Sequence, residues 1–258
     1  MAKSKFEYVR GMEVEDKLLP NTWIVVRIDG KGFHKFSDAH GFEKPNDLRA
    51  LNLMNKCARA VMDDFNEIIL SYGQSDEYSF IFRKDSTVYS RRGSKLITNI
   101  SSLFAASYVF HWPQFFPDKS LKYPPCFDGR AVLYPSEKNI RDYLCWRQAD
   151  CHINNLYNTV FWTLVNKGCL STQQAQERLK GTVSGDKNEI LYSEFGINYN
   201  KEPDQLKKGT TIIKRKQTIP MDNGETKTRT QVVELDCDII GDDFWNENPH
   251  LLVPYRDL

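Results

Sequence analysis

Two acidic positions in the first half of the chain have the spacing to act together. Asp29 follows an apolar, β-branched run at 23–28, which predicts a buried strand that ends in the turn dipeptide Asp29-Gly30. Asp76 and Glu77 lie between two further apolar runs, so a hairpin would carry them at its tip. Two converging carboxylates repel each other unless a cation lies between them, and hard oxygen ligands favour Mg²⁺, which also binds phosphate oxygens. The residue types therefore predict metal-assisted phosphoryl transfer, for which a pair of ions would be suited.

The elements that must position these acids follow the order strand, helix, strand, strand, helix, strand. The patterns predict strands over 23–28, 68–73, 78–83 and 128–134, and helices from 46–47 to about 65 and over 91–109. This order is that of a ferredoxin-like βαββαβ domain of the α+β class, with two helices on one face of an antiparallel sheet. In that topology the first and third strands are neighbours, so Asp29 and Asp76 would face each other. A polymerase-type palm has this arrangement.

Each acid also has a purely structural explanation. An Asp-Gly pair is common in turns, and an acidic pair at a hairpin tip is ordinary. The combination of a strand-end Asp29 with a hairpin-tip Asp76 in one topology favours the functional interpretation. For Glu77 three roles stay open: a ligand, a residue that orients the ligands, or a solvent-exposed side chain. Asp128-Gly129 is interpreted as a structural turn.

Several weak phosphate-binding features accompany the acids. The segment Lys31-Gly32-Phe33-His34 offers backbone amides and a cation directly after Asp29. Lys44 and Asn46 precede a predicted helix, whose free N–H groups attract anions. Arg92 and Lys95 share a helical face suited to a triphosphate, although a solvated face would look the same. There is no Walker A loop and no Gly-x-Gly-x-x-Gly, which disfavours a P-loop ATPase and a Rossmann dehydrogenase.

The second half of the chain has a different character. A long, aromatic-rich helix is predicted over 136–166, and the segment 210–233 resembles a hairpin that turns at 222–224. No proline- or glycine-rich linker separates the halves. We therefore predict a palm catalytic domain over 1–135, packed against a helical and β-ribbon region over 136–258 that serves recognition and oligomer contacts.

RNA binding is indicated by two features of this second half. Net charge is only +1, yet seven basic residues stand against two acidic ones between Lys207 and Thr230, as in an arm that meets a polyanion. In the segment 150–158, His152 and Asn155 would share a helical face and Tyr157 could stack on an unpaired base. A solvated surface ribbon and a polar helix that satisfies its neighbours explain the same patterns.

Composition excludes several other classes. The chain is 40% hydrophobic, as in folded soluble proteins, and no run approaches the roughly 20 apolar residues of a membrane span. Its six cysteines form no Cys-x-x-Cys pair, which disfavours a zinc site or a disulfide framework. The first residues lack the apolar core of a secretory signal. We expect an intracellular protein of the cytoplasm or nucleus, with the mitochondrion left open, and no membrane partner.

Together these segments resemble the eukaryotic branch of the tRNA-histidine guanylyltransferase family. The resemblance covers nearly the whole chain and is carried by eight motifs: Arg27-Ile-Asp-Gly-Lys-Gly-Phe-His-Lys-Phe36, Lys44-Pro-Asn-Asp47, Tyr72-Gly-Gln-Ser-Asp-Glu-Tyr-Ser79, Tyr123-Pro-Pro125, Phe127-Asp-Gly-Arg130, Trp146-Arg-Gln-Ala-Asp-Cys-His-Ile-Asn-Asn-Leu-Tyr-Asn158, Asp186-Lys-Asn-Glu189 and Cys237-Asp-Ile-Ile-Gly241. The ribbon at 207–230 is its least typical part.

The resemblance implies nucleotide addition in the 3′-to-5′ direction. ATP would adenylate the 5′-monophosphate of the tRNA, and the 3′-hydroxyl of GTP would then displace AMP. Pyrophosphate would finally leave the new 5′ end. The family works with Mg²⁺, with two ions expected, and its members assemble as homotetramers.

The resemblance also assigns roles to residues. It implies that Asp29, Asp76 and Glu77 are catalytic, and that Asp29, Asp76 and the Gly30 carbonyl bind the metal. It implies nucleotide contacts from these positions: Arg27, Asp29, Gly30, Lys31, Gly32, Phe33, His34, Lys44, Asn46, Ser75, Asp76, Arg92 and Lys95. A tRNA anticodon site is implied at His152, Lys187 and Asn198.

Two alternatives remain. The first is a related palm enzyme, either a nucleotide cyclase or a template-dependent 3′-to-5′ tRNA repair polymerase. The helical half disfavours a cyclase, and activity on truncated tRNAs other than histidine tRNA would favour repair. The second is a non-catalytic RNA-binding module that uses the basic ribbon, which RNA binding without Mg²⁺-dependent turnover would support.

Overall fold

The structure, a computed structural model, describes residues 4–220 and 226–252 of the 258-residue chain. Its strands are β1 (Trp23–Gly30), β2 (Ile68–Gln74), β3 (Glu77–Phe82), β4 (Phe127–Tyr134), β5 (Thr210–Pro220) and β6 (Thr226–Leu235). Its α-helices are α1 (Phe33–Ala39), α2 (Leu48–Asp64), α3 (Gly93–Phe115), α4 (Glu137–Asn166), α5 (Thr172–Leu179), α6 (Ser184–Phe195), α7 (Asp204–Lys208) and α8 (Asp243–Glu247). Short 3₁₀ helices span Glu7–Met12, Val88–Arg91, Tyr199–Lys201 and Pro249–Leu252.

The six strands form one antiparallel sheet in the order β4-β1-β3-β2-β5-β6. The predicted antiparallel sheet is confirmed, and β1 lies between β3 and β4. The predicted hairpin of the second half also forms, but it joins the sheet through β5, which pairs with β2 from Leu70 to Gly73. The predicted turn at 222–224 falls outside the described residues.

Each face of the sheet is covered by a different half of the chain. Alternate residues of β1 such as Val26 point to the face where α2 and α3 form the larger apolar cluster. The intervening residues, such as Val25, point to the opposite face, where Leu144 of α4 and Trp245 of α8 complete a second cluster. The sheet therefore lies between two helical layers, one packed on each of its faces.

Helix boundaries follow their capping residues. The Asp47 side chain accepts a hydrogen bond from the Arg49 backbone N–H at 3.1 Å, so α2 begins where the sequence predicts. Ser136 caps α4 in the same way, through the Asn139 N–H at 3.2 Å. Two helices differ from prediction: α3 continues to Phe115 through Pro113, and α1 was not predicted, because seven residues are too few to establish a helical period.

Across the described ranges, no helix has both the length and the apolar character needed to cross a membrane.

Candidate active site

The end of β1 and the tip of the β2–β3 hairpin lie side by side. Asp29 pairs with Glu77 in the strand register, and the Gly30 N–H donates to the Asp76 carbonyl at 3.1 Å. A Cβ placed on Gly30 would lie 2.8 Å from Asp76 Oδ2 and 2.5 Å from a ring carbon of Phe33. The Asp76 carboxylate therefore lies directly over the Gly30 backbone, and the two predicted acids are brought together.

Electrostatic strain marks Asp76. Burial, with a smaller contribution from the Asp29 carboxylate, raises the pKa of its carboxyl to about 6. A hydrogen bond from the Ser75 hydroxyl, 2.9 Å long, acts in the opposite direction. A bound cation would therefore reduce the repulsion between the Asp29 and Asp76 carboxylates.

Glu77 is neither exposed nor free. Arg147 Nη1 donates to its two carboxylate oxygens at 3.3 and 3.2 Å, and Arg27 Nε lies 3.6 Å from Oε2. Burial raises the pKa of Glu77, and the two guanidinium groups oppose that shift. The resemblance implies a triphosphate contact for Arg27, and in the structure its guanidinium lies beside Glu77.

A cavity of about 830 Å³ opens beside the acids. From the predicted nucleotide-binding set its walls include these residues: Asp29, Phe33, His34, Lys44, Asn46, Ser75 and Asp76. The other members lie outside its lining: Arg27, Gly30, Lys31, Gly32, Arg92 and Lys95. Arg92 lies 3.6 Å from an Asp16 oxygen, and the Lys95 ammonium is 5.8 Å from the Tyr89 ring centroid.

The opposite wall of the cavity is one face of α4. It carries the following side chains, which recur at steps of three or four residues with Tyr157 and Asn158 adjacent: Asp150, Asn154, Tyr157, Asn158 and Phe161. As predicted, His152 and Asn155 share a helical face, since both contact Tyr199. The buried Asn155 amide accepts from Asn46 Nδ2 and donates to the Tyr199 hydroxyl, both at 2.9 Å. The helix thus lines the cavity along a stripe that sequence reasoning recognised only at Tyr157.

Of the three predicted anticodon residues, one borders a second, smaller cavity of about 270 Å³. Asn198 lines it together with residues of α6. The ring of His152 contacts Tyr199, with 5.6 Å between centroids. Lys187 lies on α6, and its ammonium donates to the Thr182 carbonyl at 2.8 Å. His152 and Asn198 are therefore neighbours through Tyr199, whereas the Lys187 ammonium is directed elsewhere.

Comparison with known proteins decides the family. The family model for tRNAHis guanylyltransferase matches residues 6–135, and that of its C-terminal domain matches residues 138–241. The chain belongs to the tRNA(His) guanylyltransferase family. A mouse member, a probable tRNA(His) guanylyltransferase, is 57% identical over 98% of this chain and 89% of its own length.

Solved structures of the family share the fold. The tRNA(His) guanylyltransferase of Saccharomyces cerevisiae superposes with a TM-score of 0.78 at 51% identity, covering 81% of this chain and 93% of that one. A bacterial tRNA(His) guanylyltransferase-like protein in complex with ATP has a TM-score of 0.76 at 23% identity, covering 97% and 100%. The bacterial likeness shows the shared fold alone.

Several residues at the acid pair and the cavity were not predicted from the sequence. Arg147, Asn154 and Phe161 were not singled out, although the segment 146–158 was quoted as a motif. The helical period of α4 was the available signal for Asn154 and Phe161, because both fall on the stripe that contains Tyr157. No local signal identifies Arg147 as the partner of Glu77, since the two lie 70 positions apart.

Proposed function

We propose that this protein is a tRNA-histidine guanylyltransferase that extends the 5′ end of its tRNA by one guanosine. The 5′-monophosphate attacks the α-phosphorus of ATP and releases pyrophosphate. The 3′-hydroxyl of GTP then attacks the activated 5′-phosphate and displaces AMP, and pyrophosphate is removed from the new end. The observation that carries this function is the Asp29–Asp76 pair beside a nucleotide-sized cavity, in a chain of this family.

The catalytic part is proposed to be a ferredoxin-like, polymerase-type palm over 1–135. The order β4-β1-β3-β2, with α2 and α3 on one face, supports this assignment. Residues 136–258 are proposed to serve tRNA recognition and the contacts of a homotetramer. In this division the anticodon is read at His152, Lys187 and Asn198, around the smaller cavity.

The acid pair fits a Mg²⁺ ion, with the Gly30 carbonyl as a further ligand. Two observations support the fit: the Asp76 carboxylate lies over the Gly30 backbone, and burial beside Asp29 raises its pKa to about 6. Among residues 4–220 and 226–252 no cluster of three or more His, Cys, Asp or Glu side chains could hold a metal, and the proposed ligands are the two carboxylates, the Gly30 carbonyl, phosphate oxygens and water. When bound, Mg²⁺ supplies positive charge that stabilises the reacting phosphates.

The cavity's other residues bind and orient the substrates. Lys44, whose ammonium is 2.9 Å from an Asp38 oxygen, provides a cation for phosphates, and Asn46 is held by Asn155 at the cavity wall. The amides and rings of α4, such as Asn158 and Tyr157, are of the kind that contact unpaired bases. They support an RNA end as one of the cavity's ligands.

The test uses a 5′-monophosphorylated histidine tRNA transcript that lacks the extra guanosine. Enzyme, ATP, Mg²⁺ and α-labelled GTP are added, beside an anticodon-swapped tRNA and an Asp76→Ala control. We expect label in the histidine-anticodon tRNA alone, and only with the unmodified protein. Labelling of truncated tRNAs regardless of anticodon would instead show a repair polymerase, and RNA binding without any labelling would contradict the catalytic assignment.

A further inference from the structure

Asp29, Asp76 and Glu77 form an acidic edge of the sheet, and the Arg147 guanidinium links this acidic edge to the second half of the chain. Arg147 projects from α4 and its side chain is 6% exposed. Its Nη1 donates to both oxygens of Glu77, and it lies 3.6 Å from an Asp150 oxygen, which belongs to the cavity wall. The ring of Trp146 lies 3.4 Å below the guanidinium carbon. Arg147 is therefore held in one orientation between two acids.

Glu77 connects Arg147 to the proposed catalytic acids Asp29 and Asp76. It follows Asp76 directly and pairs with Asp29 across β1 and β3. A third carboxylate at this edge would add to the repulsion unless positive charge compensates it. Arg147 is the hydrogen-bonded cation at Glu77, while Arg27 approaches only to 3.6 Å. Removing one partner of a buried ion pair leaves an uncompensated charge that must move or draw in another cation.

We propose that Arg147 is a positioning residue for guanosine addition: its ion pair with Glu77 holds the hairpin tip so that Asp76 stays over Gly30 and opposite Asp29. This inference rests on the proposed function. Arg147 is paired with Glu77 and Asp150, and it acts on Asp29 and Asp76 through Glu77. In this arrangement the Glu77 carboxylate is saturated by arginine, so that it orients the acid pair and does not compete with it for a cation.

The same two elements provide a matched control. One helical turn before Arg147, the Tyr143 hydroxyl shares a 2.6 Å hydrogen bond with the Ser79 hydroxyl on β3. Ser79 is two residues after Glu77, on the same face of the strand. This contact also ties β3 to α4, but it is neutral and does not act next to Asp76. Tyr143→Phe therefore removes a β3–α4 tie without disturbing the charges at the acidic edge.

The experiment is a double-mutant cycle of Arg147→Gln, Glu77→Gln and the combination, with Tyr143→Phe and Arg147→Lys alongside. Guanosine addition is measured for variants whose circular dichroism shows a folded protein. We expect each glutamine variant to lose between about 10- and 100-fold in rate, the size of a misplaced reacting group, with no further loss in the combination. Tyr143→Phe should stay near the unmodified rate, and Arg147→Lys should restore part of it.

A second readout does not depend on turnover. The rise in melting temperature on adding Mg²⁺ is measured for the same proteins, and Arg147→Gln should reduce it while Tyr143→Phe does not. If the unmodified protein adds no guanosine, the proposed function fails and this readout alone judges the role of Arg147. A normal rate and a normal Mg²⁺ response in Arg147→Gln would overturn the inference, as would losses that multiply in the combined variant.

Discussion

At the scale of single residues, the site contains a buried carboxylate whose charged form destabilises the folded protein. Asp76 is placed beside Asp29 and over Gly30, where its charged form is disfavoured. Glu77 is the opposite case, since its charge is compensated by Arg147. One of these adjacent carboxylates is therefore disfavoured in its charged form by burial, whereas the other is paired with an arginine.

Asp76→Asn should stabilise the metal-free protein while abolishing guanosine addition. The folded pKa of about 6 lies above the ordinary value of 3.8, so the stabilising contribution of the protonated group is present below pH 3.8 and lost as pH rises through 6. Asparagine does not ionise, so its advantage should be larger at pH 7.5 than at pH 4.5. Thermal melts in a chelator at both pH values check this. A lower melting temperature for the variant at pH 7.5 would contradict it.

Gly30→Ala should impair both folding and activity. The added Cβ would lie 2.5 Å from the Phe33 ring and 2.8 Å from Asp76 Oδ2, so the ring and the carboxylate must move. Overpacking of this kind costs about 1–3 kcal/mol. Denaturant unfolding and the addition assay measure the two effects. Gly11→Ala is the control, because an added Cβ there meets nothing within 4 Å.

At the scale of elements, α4 both supports the sheet and forms a wall of the larger cavity. Ile140 and Leu144 pack under the sheet, Arg147 reaches the acidic edge, and the stripe from Asp150 to Phe161 lines the cavity. The eleven steps from Asp150 to Phe161, at a rise of about 1.5 Å each, extend about 16 Å. A cavity wall of that length can contact more than the one nucleotide that reacts.

Asn158→Ala should weaken the use of tRNA without unfolding the protein. The side chain is exposed on the cavity wall, where it is proposed to contact an unpaired base of the tRNA end. Loss of one such hydrogen bond, about 1 kcal/mol, corresponds to about a fivefold rise in KM for tRNA. Steady-state kinetics with Lys138→Ala as a control on the same helix check this. An unchanged KM would remove Asn158 from the proposed contact surface.

Lys214→Met should stabilise the sheet at neutral pH. The Lys214 ammonium of β5 donates to the Phe65 carbonyl at 3.0 Å, and burial lowers its pKa to about 8. Because the unfolded chain keeps the ordinary value of 10.5, the unmodified protein gains stability as pH rises between 8 and 10.5. The advantage of methionine should therefore shrink over that range. Unfolding curves from pH 7 to 10 measure it, and a constant difference would contradict the burial effect.

At the scale of the whole molecule, the two halves share one sheet and each covers one of its faces. β5 and β6 come from the second half and extend the sheet at β2, while α4 and α8 cover its second face. The proposed boundary near residue 135 thus divides the roles along the chain without dividing the sheet. The acid pair and the α4 wall of the cavity are therefore held by the same sheet and the helices packed on it.

The fragment 1–135 should not fold alone. Without the second half, Trp23, Val25 and Ile81 would present a continuous apolar face to water. The fragment should lack a cooperative thermal transition and should aggregate, while the full chain melts cooperatively. Calorimetry and light scattering on the two proteins make the comparison. A soluble, cooperatively melting fragment would show that the first half is an independent domain.

Much of the fold and part of the site could be predicted from the sequence. The strands β1 to β4, the helix α2 with its Asp47 cap, and the approach of Asp29 to Asp76 all depend on local periodicity, capping and a recurrent topology. Ordered motifs identified the family. These features are encoded within short stretches of chain, because apolar spacing and backbone hydrogen bonding act over a few residues.

Only the tertiary structure decided which distant groups meet. It joined Glu77 to Arg147, placed Asn155 between Asn46 and Tyr199, and attached β5 to β2. It also placed the Arg27 guanidinium beside Glu77. The physical reason is that local spacing determines which face a side chain occupies, whereas its partner depends on how whole elements pack, and packing is settled by burial and charge compensation across the entire molecule.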